Sequence, residues 1–211
     1  VHPHPLLRGA RPAGQVPGDD GSDAERDGDP QTAGRAPPAG RGLIAPEGMV
    51  EMKEEQAAQL RELLTGRVTA ALGTLHAGAP YVSLVPFALL ADLPAFVIHV
   101  SRLAAHTQDM LAEPRVSLLI SGGEQPGASP LALPRVTILG TARQLANDAP
   151  EYPAARQAYL ARFPDAAPLF SLGDFSLFLI VPAEARWIAG FAQARTLTPA
   201  ALARVLQGGE E

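Results

Sequence analysis

I-H-V-S-R-L-A-A-H-T-Q-D-M-L-A-E-P-R-V-S-L-L, residues 98–119, decides how the rest of the chain is read. A short strand, Phe96 to Val100, ends at Ser101, and a helix is expected to open there and run to about Ala112. Pro114 closes it, and a second strand follows over Val116 to Ile120. The first turn of such a helix presents unpaired N–H groups and the positive end of the backbone dipole, a setting that favours an anion. Ser101, Arg102, His106 and Thr107 surround that turn with hydroxyls, a fixed cation and an imidazole, which suits a phosphate. The plainer alternative makes Ser101 a helix cap and His106 a surface residue, and residue types alone leave both open.

Upstream, Val50 to Thr65 carries Met52, Leu60, Leu63 and Leu64 near one helical face and ends at Gly66. Arg67 to His76 and Tyr81 to Leu90 read as strands joined by the turn from His76 to Pro80, with Pro86 marking an edge or a bulge. Downstream come a strand from Pro134 to Leu145, a helix from Pro150 to Arg162, a helical turn from Pro164 to Phe170, strands over Phe175 to Val181 and Ala185 to Ala189, a polar link, and a terminal helix from Pro199 to Leu206. About seven strands arrive in consecutive runs. That predicts a mainly β fold with inserted helices, an antiparallel barrel rather than a doubly wound parallel sheet.

Residues 1–48 hold nine Gly and eight Pro and few large apolar side chains, too little to offset chain entropy. They are expected to be a disordered leader, with residues 49–211 as the folded domain and Met49 as a candidate natural start. His2 and His4 form an H-x-H pair with no supporting ligand nearby. The formal net charge of −5 argues against broad nucleic-acid binding. The chain has no cysteine, which removes disulfides, Cys-ligated zinc and thiol nucleophiles. No membrane span and no signal-peptide core stand out, so a cytoplasmic protein is expected. Phosphate-loop, dinucleotide, nucleophile-elbow and zinc-protease motifs are missing.

Seven pieces occur in order: A-L-G-T-L (71–75), Y-V-S-L-V-P-F (81–87), H-V-S-R-L-A-A-H-T (99–107), E-P-R-V-S-L-L (113–119), P-R-V-T-I-L-G-T-A (134–142), G-D-F-S-L-F (173–178) and A-R-W-I-A-G-F (185–191). Together they resemble the pyridoxamine 5′-phosphate oxidase-like proteins, with their FMN-binding split β-barrel of antiparallel, Greek-key type, and most nearly the branch that includes bacterial split-barrel haem oxygenases. The resemblance implies a homodimer with FMN at the subunit interface. It places Arg67, Val68 and Thr69 where the first strand passes the flavin, and Ser83 and Val85 along the isoalloxazine. Ser101, His106 and Thr107 would bind the ribityl phosphate. Arg135 and Thr137 would reach the flavin from the partner strand, where a cation stabilises the reduced ring, and Trp187 and Phe191 would cover the site.

Each residue also has a structural reading. Arg135 on a strand can snorkel or pair with an acid, Trp187 suits a core, His99 is a strand residue and His76 a turn residue. Relatives often carry Arg or Lys and then Asn after the His-Thr pair, where this chain has Gln108 and Asp109, a change that should weaken a phosphate site. The G-F-G-[RK]-A pattern is here Gly190-Phe191-Ala192-Gln193-Ala194, and no histidine follows His106. The resemblance therefore implies first an FMN-dependent oxidoreductase acting on an unknown small substrate. The alternatives are a haem-binding or haem-degrading protein on the same fold and a non-catalytic flavin-binding module.

Overall fold

A computed structural model describes residues 52–90, 93–124, 126–127, 129–190 and 193–208. The expected leader, the H-x-H pair, Met49 and Phe191 lie outside the described residues. The elements run α1 (Glu54–Gly66), β1 (Thr69–His76), β2 (Ala79–Pro86), β3 (Ala88–Leu90), β4 (Ala95–Ser101), α2 (Ala105–Ala112), β5 (Arg115–Ser121), β6 (Arg135–Gln144), α3 (Tyr152–Arg162), β7 (Phe175–Ile188), β8 (Ala194–Leu197) and α4 (Pro199–Gln207). Short 3-10 turns occupy Pro130–Ala132 and Pro164–Ser171. The sheet order is β2-β1-β5-β6-β7-β4-β3, with β8 beside β7. Every pairing is antiparallel. This is the antiparallel barrel expected from the strand runs, in the split form that the family resemblance implies.

β4 explains how the sheet closes around two apolar clusters. Its residues Ala95 to Val100 are all buried, so both faces of the strand are covered. Phe96, Ile98 and Val100 join the barrel interior with Leu60 and Leu64 of α1 and Leu202 and Val205 of α4. Ala95 and Val97 face the other way, against Ala155 and Tyr159 of α3. A strand buried on both sides reads as a near-continuous apolar run, and this one is interrupted only by His99.

β7 is one 14-residue strand where the sequence suggested two. Pro182 does not end it, because the register against β6 shifts between Leu139 and Gly140 and absorbs the proline. Gly140 is required there: a Cβ would lie 2.5 Å from the Val181 carbonyl oxygen. The shift also reverses which residues face the barrel. Phe178 and Ile180 point inward before it, and Ala185 and Trp187 after it.

Other boundaries differ in ways that matter for the site. β1 starts at Thr69, not Arg67. The expected second strand breaks after Pro86, and Phe87 donates its N–H to the Val68 carbonyl at 3.1 Å. The polar link contains β8, which pairs with residues 185–188. Ser101 is the last residue of β4, opposite Phe175, and not a helix cap. α2 opens four residues later behind Ala104, which has no side chain to cap with.

β1 and β2 are joined by the two-residue turn Ala77-Gly78, with φ of 50° and 83°. Both residues are left-handed, as the tight hairpin turn that matches strand twist demands. Ala at that position is strained, so Ala77→Asn is expected to stabilise the fold by about 1 kcal/mol, read as a raised midpoint in urea unfolding.

His99 stacks on Phe170 with ring centroids 3.9 Å apart and also touches Tyr159 and Phe175. Its Nδ1 is buried without a partner. Burial pushes its pKa from 6.5 down to about 4. The fold thus favours the neutral ring, while the unfolded chain takes up a proton below pH 6.5. Stability is fully present above that pH and is lost as pH falls towards 4, by roughly 1–2 kcal/mol at pH 5. His99→Phe should flatten this dependence in denaturant titrations at pH 7.5 and 5.0; an unchanged slope would assign it elsewhere.

Candidate functional site

The loop between β4 and α2 is tied to the start of β7. Ser101 Oγ donates to Asp174 Oδ2 at 2.6 Å and accepts from the Leu103 N–H at 3.1 Å. Arg102 donates its N–H to the Asp174 carbonyl at 2.7 Å, and its guanidinium donates to the Gly173 carbonyl at 2.6 Å. Thr107, fully buried, donates its hydroxyl to the Ser101 carbonyl at 2.7 Å. Gln108 donates to the Arg102 carbonyl at 2.6 Å. Both hydroxyls expected to hold a phosphate are therefore committed to protein acceptors, and one of those acceptors is a carboxylate. An arriving anion would meet Asp174 beside the Ser101 hydroxyl, with the rest of the Arg102 guanidinium and the first N–H groups of α2 as the donors left to it. In this arrangement the Ser101 and Thr107 hydroxyls are not the donors that a phosphate would find at the cap.

Gln108 stands where relatives often carry a cation and Asp109 where they carry Asn, yet Asp109 does not face the cap. It is 5% exposed and turned toward β1. Oδ2 accepts from Thr74 Oγ1 at 2.8 Å, and Oδ1 lies 2.8 Å from His76 Nδ1. Burial works to raise its pKa, but the bonds from His76 and Thr74 and the attraction of His76 and His106 outweigh burial and hold the carboxyl below its usual value. A carboxylate only accepts, so His76 Nδ1 carries the proton and Nε2 is the bare nitrogen of the neutral ring. The His76 side chain is 57% exposed, with Tyr81 beside it at 5.6 Å between centroids. His106, in the first turn of α2, has a pKa lowered by burial against the pull of Asp109, and its Nε2 is buried without a partner.

The remaining expected site residues fall into separate regions. Ser83 pairs across from Leu72 in mid-strand, with its hydroxyl buried and unpartnered. Val85 is buried in the barrel core, so it cannot line an open flavin slot. Trp187 is fully buried in the same core and is no lid; the register shift of β7 turns it inward. Arg67, Val68 and Thr69 precede or open β1. Arg67 packs on Gly123, where a Cβ would lie 2.5 Å from its guanidinium. Arg135 opens β6 opposite Ser121 and Ile188 and donates to the Leu133 carbonyl at 3.0 Å. Thr137 pairs with Leu119 and Arg186.

Ser101 faces Phe175 and Arg135 faces Ile188, the two ends of β7. At ~3.3 Å per residue the path between them is about 40 Å along the strand. The cap and Arg135 thus lie beside opposite ends of β7. The concavities over α3 (Tyr152, Arg156, Leu160) and over α1 (Gln56, Gln59, Gln193) share no residue with either group. Sequence reasoning missed the Thr74–Asp109–His76 contact and Asp174, because each bond joins residues more than 30 positions apart. Among the described residues no helix is long and apolar enough to cross a membrane.

The family model described as "Pyridoxamine 5'-phosphate oxidase" matches residues 56–188. The chloroplastic heme oxygenase HOZ of Arabidopsis thaliana is 35% identical over 155 residues, a match covering 69% of this chain and 46% of that protein. The chain thus spans about half the length of that relative. The heme oxygenase HutZ of Vibrio cholerae is 27% identical over 138 residues, covering 64% of this chain and 77% of HutZ. Among solved structures, a heme binding protein from Mycobacterium smegmatis superposes with a TM-score of 0.63 at 30% identity, covering 70% of this chain and 60% of that one. With strand order, sequence pieces and family match in agreement, the chain belongs to the pyridoxamine 5′-phosphate oxidase-like split-barrel family.

Proposed function

We propose that the protein binds haem, in the manner of a haem-capturing or haem-degrading member of its family, and that it works as a homodimer. The observation that carries this reading is the closed cap: Ser101 is bonded to Asp174 and Thr107 to the Ser101 carbonyl, which leaves no hydroxyl for a flavin phosphate. The two heme oxygenases and the heme binding protein it resembles add support. The donor chemistry also fits a porphyrin better than a nucleotide. His76 offers an exposed imidazole, and Ser83 Oγ and His106 Nε2 are buried polar atoms without partners, a condition that a bound ligand relieves. Haem, when bound, supplies the iron at which dioxygen and electrons meet. This chain's residues would orient the macrocycle and limit water around it. The flavin reading keeps the support of the family fold, with Ser83 as its best-placed contact.

The dimer reading rests on an apolar sheet face. Val82 and Leu84 are 67% and 70% exposed, and Leu119 and Leu139 are 42% and 47% exposed. The register joins them in two rows, Leu84-Ala71-Leu119-Thr137 and Val82-Gly73-Ser117-Leu139, across β2, β1, β5 and β6. A contiguous exposed apolar face of this kind marks an association surface.

Titration of the protein with hemin and separately with FMN tests the ligand. A Soret band that saturates near one haem per chain, with no tight uptake of FMN, is expected; FMN that stays bound through gel filtration, with no hemin band, would overturn the haem reading. Leu84→Glu places a charge in the middle of the apolar face and is expected to shift the protein from dimer to monomer by light scattering, with the circular dichroism spectrum unchanged. A wild-type monomer at 50 μM, about the concentration where a weak interface would still show, would contradict the dimer.

A further inference from the structure

We infer that His76 is the axial ligand of the bound haem, giving the Nε2 lone pair to iron, and that Asp109 is the residue that positions it. The inference rests on the haem reading above and goes further by naming the donor atom.

Three features make this imidazole unlike the others. Its Nδ1 is held 2.8 Å from a carboxylate oxygen of Asp109, and the other oxygen is occupied by Thr74 at 2.8 Å. Asp109 is buried, so water competes poorly for either oxygen, and the ring is fixed in one orientation and one tautomer. The backbone under it is equally fixed, because His76 pairs with Ala79 across the tight turn. With Nδ1 committed to Asp109, Nε2 is the ring nitrogen left for a ligand. The side chain is 57% exposed, and Tyr81 stands beside it as an aromatic neighbour.

A histidine that ligates a metal commonly gives its other N–H to a carboxylate, which sets the tautomer and strengthens the donor. In haem proteins the axial ligand and its hydrogen bonding are the levers that tune the iron. The Asp109–His76 pair has that construction before any metal arrives. Among the described histidines it stands apart: His99 is stacked in an aromatic cluster, and the Nε2 of His106 is enclosed. The chain has no cysteine to compete, and Met110 is buried in the barrel core. Ligation is a lone-pair donation and changes no oxidation state.

The test titrates the full chain and its variants with hemin, and in parallel with metal-free protoporphyrin IX. The reduced haem complex is then read by resonance Raman. In the wild type an iron–histidine stretch is expected. His76→Ala should abolish that stretch and weaken hemin binding by at least about tenfold, leave binding of protoporphyrin IX unchanged, and regain a ligated spectrum on addition of free imidazole. Asp109→Asn should keep the stretch but move it to lower frequency, since a neutral partner makes the imidazole a weaker donor. If His76→Ala retains the stretch, or if His106→Ala removes it instead, the inference is overturned while the haem reading stands. If the wild type takes up no hemin, both fall. Equal loss of hemin and protoporphyrin IX in His76→Ala would show a role in shaping the pocket and would also overturn ligation.

Discussion

The carboxylate of Asp109 is the contact on which the site end of this molecule depends. A charged group taken out of water is costly unless hydrogen bonds replace the lost hydration. Here one oxygen is met by Thr74 and the other by His76, both on β1. The bond pair fastens α2 to the sheet at a place where the helix is only eight residues long and has no side-chain cap at its start. A helix this short has little stability of its own and relies on tertiary contacts. Thr107 and Met110, buried alongside Asp109, supply the rest of that docking. Once α2 is seated, the loop before it is drawn against Asp174, and the geometry of the cap follows.

That arrangement turns the two hydroxyls expected to hold a flavin phosphate toward the protein itself. A phosphate site needs donors that are free and a local field that is positive. The cap has Ser101 and Thr107 turned to internal acceptors and Asp174 in contact. The open functional group at this end is instead a rigid imidazole, a Lewis base in place of an anion receptor. The family fold is common to both chemistries, so the fold could not have decided between them. The side chains around α2 favour the haem reading.

Much of the architecture was legible because it rests on patterns of local sequence. The buried run of β4 and the amphipathic α1 announce themselves, and the ordered pieces from A-L-G-T-L to A-R-W-I-A-G-F lead to the family. What the sequence hid depends on pairing between distant residues. The resemblance makes Trp187 a lid and its residue type suits a core; the choice rests on its parity along the strand, which depends on a register shift against Gly140 on β6. Ser101 looked like a cap because Ser is a good one, but its backbone is needed to finish β4 opposite Phe175. β8 is four residues with a single buried position, too short to show alternation. Asp109 follows His106 and Thr107 in sequence, a spacing that sets it beside the expected phosphate. On the helix it turns to β1, and His76, which read as a turn residue, becomes its partner.

The buried carboxylate makes one demand that solution measurement reaches directly. Long-range proton–nitrogen correlation NMR at neutral pH reports which ring nitrogen of His76 carries the proton. The account expects the Nδ1–H form, with a strongly downfield Nδ1 proton that Asp109→Asn shifts upfield. A ring in the Nε2–H form, or one averaging freely between the two, would mean that Asp109 does not hold it, and the proposed ligand would lose its support.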